Sequence, residues 1–290
     1  VGLVCRKVAR VSSPSLVILA AGRARRYGGI KPLAPIGPNG ESIIDLIAGD
    51  AYSAGFDNIV VVVNPDTGPV IREHIEANWP RDRRVAFAIQ EVPSGTVNAV
   101  LAAESYVDVS QPFGVANADD LYGRQAMLDL GEHLISGEHS CLVGFRLHNA
   151  LVGPDPVTRG VCVVEGTRLS EIHERRGVTL VDGEFHANDG HEPSLLSPTT
   201  VVSMNLWGFN HATWELLDEA RRTTDHSVDA ELLLPEIVGH YVASGKLNVD
   251  VIISESRCVG VTHPGDLDVV QRDIREQIAR GERPANIFAL

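Results

Sequence analysis

The chain has only four cysteines in 290 residues, Cys5, Cys141, Cys162 and Cys258, and no two of them form a C-x-x-C pair. Neither a disulfide scaffold nor a zinc ribbon is indicated, so a reducing cytoplasm is the expected setting. Positive charge is also scarce: 25 Lys and Arg stand against 38 Asp and Glu, a formal net charge of −13. Counterion-release binding to nucleic acid needs a broad basic face, so no nucleic-acid partner is expected. No apolar run approaches the ~18 residues of a membrane span, and the N-terminus lacks the continuous apolar core of a signal peptide. No membrane partner is expected either. The patterns G-x-G-x-x-G, G-x-x-x-x-G-K-[ST] and G-x-S-x-G are all missing. That removes support for dinucleotide, P-loop and α/β-hydrolase readings.

With 44% apolar residues the chain has enough to bury a full core. Leu16 to Leu19 form a compact β-type run, and "ESIIDLIAGDAYSAG" places Ile43, Ile44, Ile47, Ala51 and Ala54 at helical spacing before Gly55. "NIVVVV" follows, apolar on both faces as a buried parallel strand is. Helix-like and strand-like segments then alternate as far as "SCLVGFRL", which implies a mostly parallel sheet covered on both sides. From Gly160 the texture changes. "GVCVVEGTRLSEIHER" reads as two strands around a glycine turn, and "TLVDGEFHA" carries an Asp-Gly hairpin signal. The polar, proline-bearing "NDGHEPSLLSPTT" reads as a loop and a candidate mobile flap. Helices are expected at 211–222 and 228–243, strands near 247–253 and 257–261, and a closing amphipathic helix with Leu267, Val270, Ile274 and Ile278 on one face.

The stretch "LVILAAGRARRYGGIKPL" sets a strand against a glycine-rich, strongly basic loop. In a doubly wound sheet the ligand sits beyond the carboxyl ends of the strands, where this loop falls. Glycines let backbone N–H groups approach phosphate oxygens and Arg and Lys neutralise them, so a polyphosphate is the expected ligand. "ANADDLYG" ends another strand with Asp119 and Asp120, adjacent carboxylates of the kind that bind Mg²⁺, though a helix N-cap pair reads equally well. "IQEVPSGTVNAVLAA" puts Gln90 at a strand end and Gly95-Thr96 at a helix start, suited to a base edge. His186, Asp189, His191 and Glu192 are better read as solvent-facing loop residues than as metal ligands, and Trp214 as core, while Trp207 is a candidate for stacking on a sugar or base.

Together these pieces resemble the sugar-1-phosphate nucleotidyltransferases, the nucleotide-sugar pyrophosphorylases. The family's glycine loop reads here Leu19-Ala20-Ala21-Gly22-Arg23-Ala24-Arg25-Arg26, then Lys31. "EIHERRG" lies where the family has its E-K-P segment, and "VSMNLWGF" where it has a sugar-contacting strand. The resemblance implies a Rossmann-like α/β/α sandwich with a mixed sheet and a small antiparallel sugar-binding insertion. It implies one domain over 1–290, with a nucleotide-binding half at about 15–150, a sugar-phosphate half at about 151–262 and a C-terminal helix at 263–290. Ala20, Ala21, Gly22, Arg23, Gln90, Gly95 and Thr96 would contact the nucleotide. Arg26, Lys31 and Asp119 would be catalytic, with Mg²⁺ held by Asp119 and Asp120. Gly160, Glu174, Arg175 and Asn205 would bind the sugar phosphate.

The implied reaction moves a nucleotidyl group from an NTP to a sugar 1-phosphate, or to a cyclitol 1-phosphate, which presents the same attacking group. Relatives that activate choline phosphate or a molybdenum cofactor share the first half of such a chain; the sugar-type second half sets them aside. Two departures bear on this reading. Ala24 replaces the loop's second glycine, and Val259 falls where the family often has a second metal carboxylate; another group such as Asp120 or Asp266, or water and phosphate, would complete the site, or the activity is lost. The alternatives are a nucleotide-sugar-dependent glycosyltransferase, whose D-x-D metal motif "NADDLYG" does not provide, and a non-catalytic nucleotide-binding regulatory homologue. Base identity and oligomeric state stay open, a homo-oligomer included.

Overall fold

The computed structural model describes residues 13–22, 29–137, 139–151, 155–224, 231–260 and 267–288. The first part alternates strand and helix: β1 (Ser15–Ala20), α1 (Ile43–Ser53), β2 (Asn58–Val63), α2 (Gly68–Asn78), β3 (Arg84–Ile89), α3 (Thr96–Ala102), β4 (Phe113–Asn117), β5 (Asp120–Leu121), α4 (Arg124–Ser136) and β6 (Ser140–Arg146). An antiparallel group follows, β7 (Val157–Glu165), β8 (Arg168–Val181), β9 (Glu184–His186) and β10 (Leu195–Leu196). The chain then returns through β11 (Val201–Phe209), α5 (Thr213–Thr223), α6 (Leu234–Ala243), β12 (Val249–Ser254), β13 (Val259–Gly260) and α7 (Leu267–Ala279).

One mixed sheet runs in the order β10-β9-β8-β12-β6-β11-β4-β1-β2-β3, with β7 bridging β11 and β8. β4, β1, β2 and β3 are parallel, and β11 enters antiparallel between β4 and β6. Strand periodicity divides the core in two. Leu16, Ile18, Ile59 and Val61 face one side, under α1, α2, α4 and α7, while Val17, Val60 and Val62 face the other, under α3, α5 and α6. The continuous apolar reading of "NIVVVV" is thus two buried faces superposed, and the architecture is an α/β/α sandwich.

Polar anchors buried beneath α1 hold the layers. Asp45 accepts hydrogen bonds from the Ser42 backbone N–H and hydroxyl and from the Trp79 indole, and His74 lies 3.0 Å from both its oxygens. At the other end of the helix, Arg283 grips Asp50 in a bidentate pair at 2.8 and 2.6 Å, tying the segment after α7 to α1.

Three expectations need correction. The "NDGHEPSLLSPTT" segment is no free flap, because Arg175 and the β9–β10 pairing tie it to the sheet. The second C-terminal helix starts at Leu234 rather than 228, with Pro235 in its first turn; residues 225–230 lie outside the described set, and Leu232 pairs instead with the loop before α3. Trp207 is fully buried against Phe209, which leaves no exposed ring face for a sugar or base. The Asp-Gly hairpin is as read: Asp182 and Gly183 both adopt positive φ, +51° and +86°, between β8 and β9.

Replacing Arg283 with Met leaves Asp50 buried without its partner, and a loss of about 3–5 kcal/mol is expected in urea unfolding; a loss under about 1 kcal/mol would show the pair to be dispensable. Burial pushes Cys141 and Cys162 up to about 12 and Cys258 well above its ordinary value. In native protein at about pH 8 these three thiols should stay unlabelled by a disulfide reagent and react only after denaturation.

Candidate active site

The carboxyl ends of β1, β3 and β4 open into a crevice of about 550 Å³. Ala21 and Gly22 leave β1 on one side, Gln90 leaves β3 on another, and Asn117 and Asp119 close the floor after β4. Ala20 and Gly22 also line a smaller recess with Lys31. The Lys31 ammonium donates to Asp119 Oδ2 at 3.4 Å, so the lysine and the carboxylate expected to be catalytic come together across 88 residues of sequence. Pro32 sits in the short turn that Lys31 begins and sets the chain's direction beyond the lysine. Arg23, Ala24 and Arg26 lie outside the described residues.

Gln90 donates its amide N–H to the Gly95 carbonyl at 3.0 Å, which closes the loop into α3 and leaves its carbonyl oxygen for a ligand. Gly95 is glycine for a reason other than close approach of a nucleotide. Its φ is +96°, and a Cβ there would lie 2.3 Å from the backbone oxygen of Leu232. Thr96 lines the crevice, but its hydroxyl oxygen accepts the Leu234 N–H at 2.7 Å and so caps α6 from outside that helix.

Behind this crevice lies a second pocket of about 210 Å³, between β4, β7, β8 and β11. Asn117, Asn205 and Leu233 line both spaces and form their common wall. Asn205 reaches that position through a break in the ladder: the β6–β11 register shifts between Ser203 and Trp207, and Asn205 takes a φ of +61°. Its side-chain oxygen accepts the Trp207 indole N–H, which sets the amide's orientation. Gly160 and Glu174 stand opposite each other on β7 and β8 and line the rear pocket.

Arg175 does not. Adjacent side chains on a strand point to opposite faces, and Arg175 turns away from Glu174 to bind Asp189 through Nε and Nη2 and the carbonyls of His191 and Pro193. The guanidinium and the N–H groups of His191 and Arg176 hold the Asp189 carboxyl far below the usual carboxylate range. The cation that lines the rear pocket is Arg159, which the sequence reading missed.

The same alternation separates the two acids. Asp119 faces the glycine loop, whereas Asp120 faces the rear pocket and accepts from Asn117 Nδ2 at 2.9 Å. Burial first, and the neighbouring Asp119 charge second, push the Asp120 carboxyl up to about 6. Two hard oxygen donors that resist sharing negative charge fit a divalent cation, but among the described residues no group of three His, Cys, Asp or Glu comes together. Val259 adds no ligand: it is buried in the core while Gly260 pairs with Asp120. Asp266 lies outside the described residues.

Tyr122, also missed from sequence, holds the wall in place. Its buried hydroxyl accepts the Asn117 N–H at 2.8 Å and donates to the Met204 carbonyl at 3.0 Å, joining β4 to the bulge that presents Asn205.

Residues 16–144, from β1 into β6, match the family described as the MobA-like NTP transferase domain. Among solved structures, the inositol-1-phosphate CTP transferase from T. maritima aligns with a TM-score of 0.65 at 15% identity, over 91% of this chain and 97% of that one. A protein described as a glucose-1-phosphate thymidylyltransferase from Bacillus anthracis, in complex with sucrose, aligns with a TM-score of 0.68 at 12% identity, over 91% and 96%. At such identities the likeness establishes the fold. No curated sequence matches significantly. The family match over residues 16–144 and the fold of the whole chain both fit a nucleotidyltransferase.

Tyr122→Phe would strand the Asn117 N–H and the Met204 carbonyl in the interior. Loss of about 1–3 kcal/mol of stability is expected, together with reduced turnover; a variant unchanged in both would show that the wall stands without this link.

Proposed function

We propose that the protein transfers a nucleotidyl group from an NTP to a sugar 1-phosphate or cyclitol 1-phosphate, giving a nucleotide-linked product and pyrophosphate. The observation that carries this reading is the shared wall: a crevice beside the glycine loop and Lys31 adjoins a polar pocket through Asn117, Asn205 and Leu233. Two ligands seated there would meet end to end.

In the reaction, an acceptor phosphate oxygen forms a bond to the α-phosphorus while the bond from that phosphorus to the bridging α–β oxygen breaks. Pyrophosphate takes the electron pair. The acceptor oxygen is already ionised near neutrality, so no side chain need remove a proton, and positioning with charge neutralisation supplies the acceleration. Lys31 would neutralise charge on the triphosphate, and Arg26 is proposed for the same task. Gln90 would meet the base through its free carbonyl oxygen, while Glu174, Asn117 and Asn205 would bind ring hydroxyls of the acceptor.

Mg²⁺ is proposed as cofactor, with Asp119 as its ligand from the glycine-loop side and Asp120 from the rear pocket. When bound, it would offset phosphate charge that Lys31 alone leaves uncompensated. The neighbour solved as an inositol-1-phosphate CTP transferase keeps a cyclitol phosphate among the acceptors to be tried.

Pyrophosphate release should be measured with each common NTP and Mg²⁺ against a panel of sugar and cyclitol 1-phosphates. Release that needs both partners is expected. Nucleotide binding without release from any pair would instead support a non-catalytic homologue, and transfer from a nucleotide-sugar without pyrophosphate would support a glycosyltransferase. With an active pair, Lys31→Ala should lower kcat by about 100- to 1,000-fold at saturating substrates; full turnover would remove Lys31 from the mechanism.

A further inference from the structure

Arg159 is held in the rear pocket by neutral groups. It gives Nε–H and one Nη2–H to the carbonyl of Ala150, at 3.2 and 2.7 Å, and one Nη1–H to the carbonyl of Thr158 at 2.8 Å. A guanidinium carries five N–H donors, so these bonds leave one on each terminal nitrogen. Among the described residues no carboxylate lies within ion-pair distance of it. Asp120 acts on it only through the electrostatic field of the shared pocket. The contrast with the two buried arginines is plain: Arg175 and Arg283 each hold a carboxylate in two hydrogen bonds.

Arg159 is half-buried, and a cation partly withdrawn from water and met only by carbonyls gains when an anion reaches it. Its two remaining N–H groups sit on a planar group whose spacing suits two oxygens of one phosphate. Arg159 is also the sole cation among the described residues lining this pocket, where Asp120, Glu174 and Glu236 would repel an anion placed elsewhere. These charges favour a ligand with one anionic end and a neutral, hydroxyl-bearing body.

We propose that Arg159 binds the phosphate of the acceptor, the part that the family resemblance gave to Arg175. This rests on the acceptor reading above. Arg159 thereby selects a phosphorylated ring over the free polyol, and the Ala150 and Thr158 carbonyls keep its guanidinium in place before the acceptor arrives.

The test is steady-state pyrophosphate release by wild type, Arg159→Gln and Arg159→Lys, varying the acceptor at saturating NTP and then the reverse. Arg159→Gln should raise the acceptor KM by about 100-fold and leave the NTP KM within about two-fold, while Arg159→Lys, a cation without the planar fork, should raise the acceptor KM by about ten-fold. A merely structural role would move both KM values together, and that result, or an unchanged acceptor KM, overturns the proposal. If Arg159→Gln does not fold, the lysine variant alone carries the same comparison.

Should wild type release pyrophosphate with no pair, the transfer reading fails, and calorimetry with inositol 1-phosphate, glucose 1-phosphate and the matching unphosphorylated inositol and glucose tests Arg159 by itself. Phosphate-dependent binding that Arg159→Gln or Arg159→Lys weakens supports the assignment. Binding that ignores the phosphate, no binding at all, or equal binding by the variants overturns it.

Discussion

The buried hydroxyl of Tyr122 is the point on which the crevice depends, because it accepts from one strand and donates to another that sequence separates by some eighty residues. β4 ends in Asn117, which pairs with Leu19 of β1 but not with β11, and β11 bulges at Asn205, where its pairing with β6 is interrupted. A single hydroxyl is both donor and acceptor, so it can satisfy an N–H and a carbonyl at once and fix the distance between them. The two asparagines it aligns are the wall between the two pockets.

Around that wall the charges are distributed by strand alternation. Asp119 and Asp120 are neighbours in sequence yet serve different spaces, the first facing the glycine loop with Lys31 and the second facing Arg159's pocket. Glu174 and Arg175 part in the same way, one to the pocket and the other to the loop at Asp189. Arg175 thus gives the antiparallel insertion its rigidity, since its guanidinium holds a carboxylate and two carbonyls that would otherwise lack partners. A basic residue beside a sugar-binding acid in sequence need not share its task.

The glycine at position 95 carries a similar lesson. A G-T pair at a helix start invites a ligand-centred explanation, yet what comes close to Gly95 is the Leu232 backbone, and the Thr96 hydroxyl caps a helix 138 residues away. The segment before α6 is therefore part of the nucleotide crevice, bringing Glu231 and Leu233 to its rim. Local motif reading could not find it, because nothing in residues 94–97 names the strand of backbone that packs on them.

What the sequence determined by itself was whatever rests on local periodicity and local chemistry. Runs apolar on both faces specified a sheet covered twice, the Asp-Gly step specified a hairpin, and a glycine-rich basic loop at a strand's end placed the binding crevice. Lys31 and Asp119 were each legible as site residues, since they follow the adjacent parallel strands β1 and β4, but the structure alone brought them within 3.4 Å of each other. Tertiary structure alone decided which face each side chain took in the irregular insertion. There the register shifts beside Arg159 and around Asn205, so Arg159 lines the rear pocket and Arg175 is withdrawn from it. The reason is physical: a strand's period tells which residues share a face, but a bulge and the partner strand's register decide which face meets the ligand.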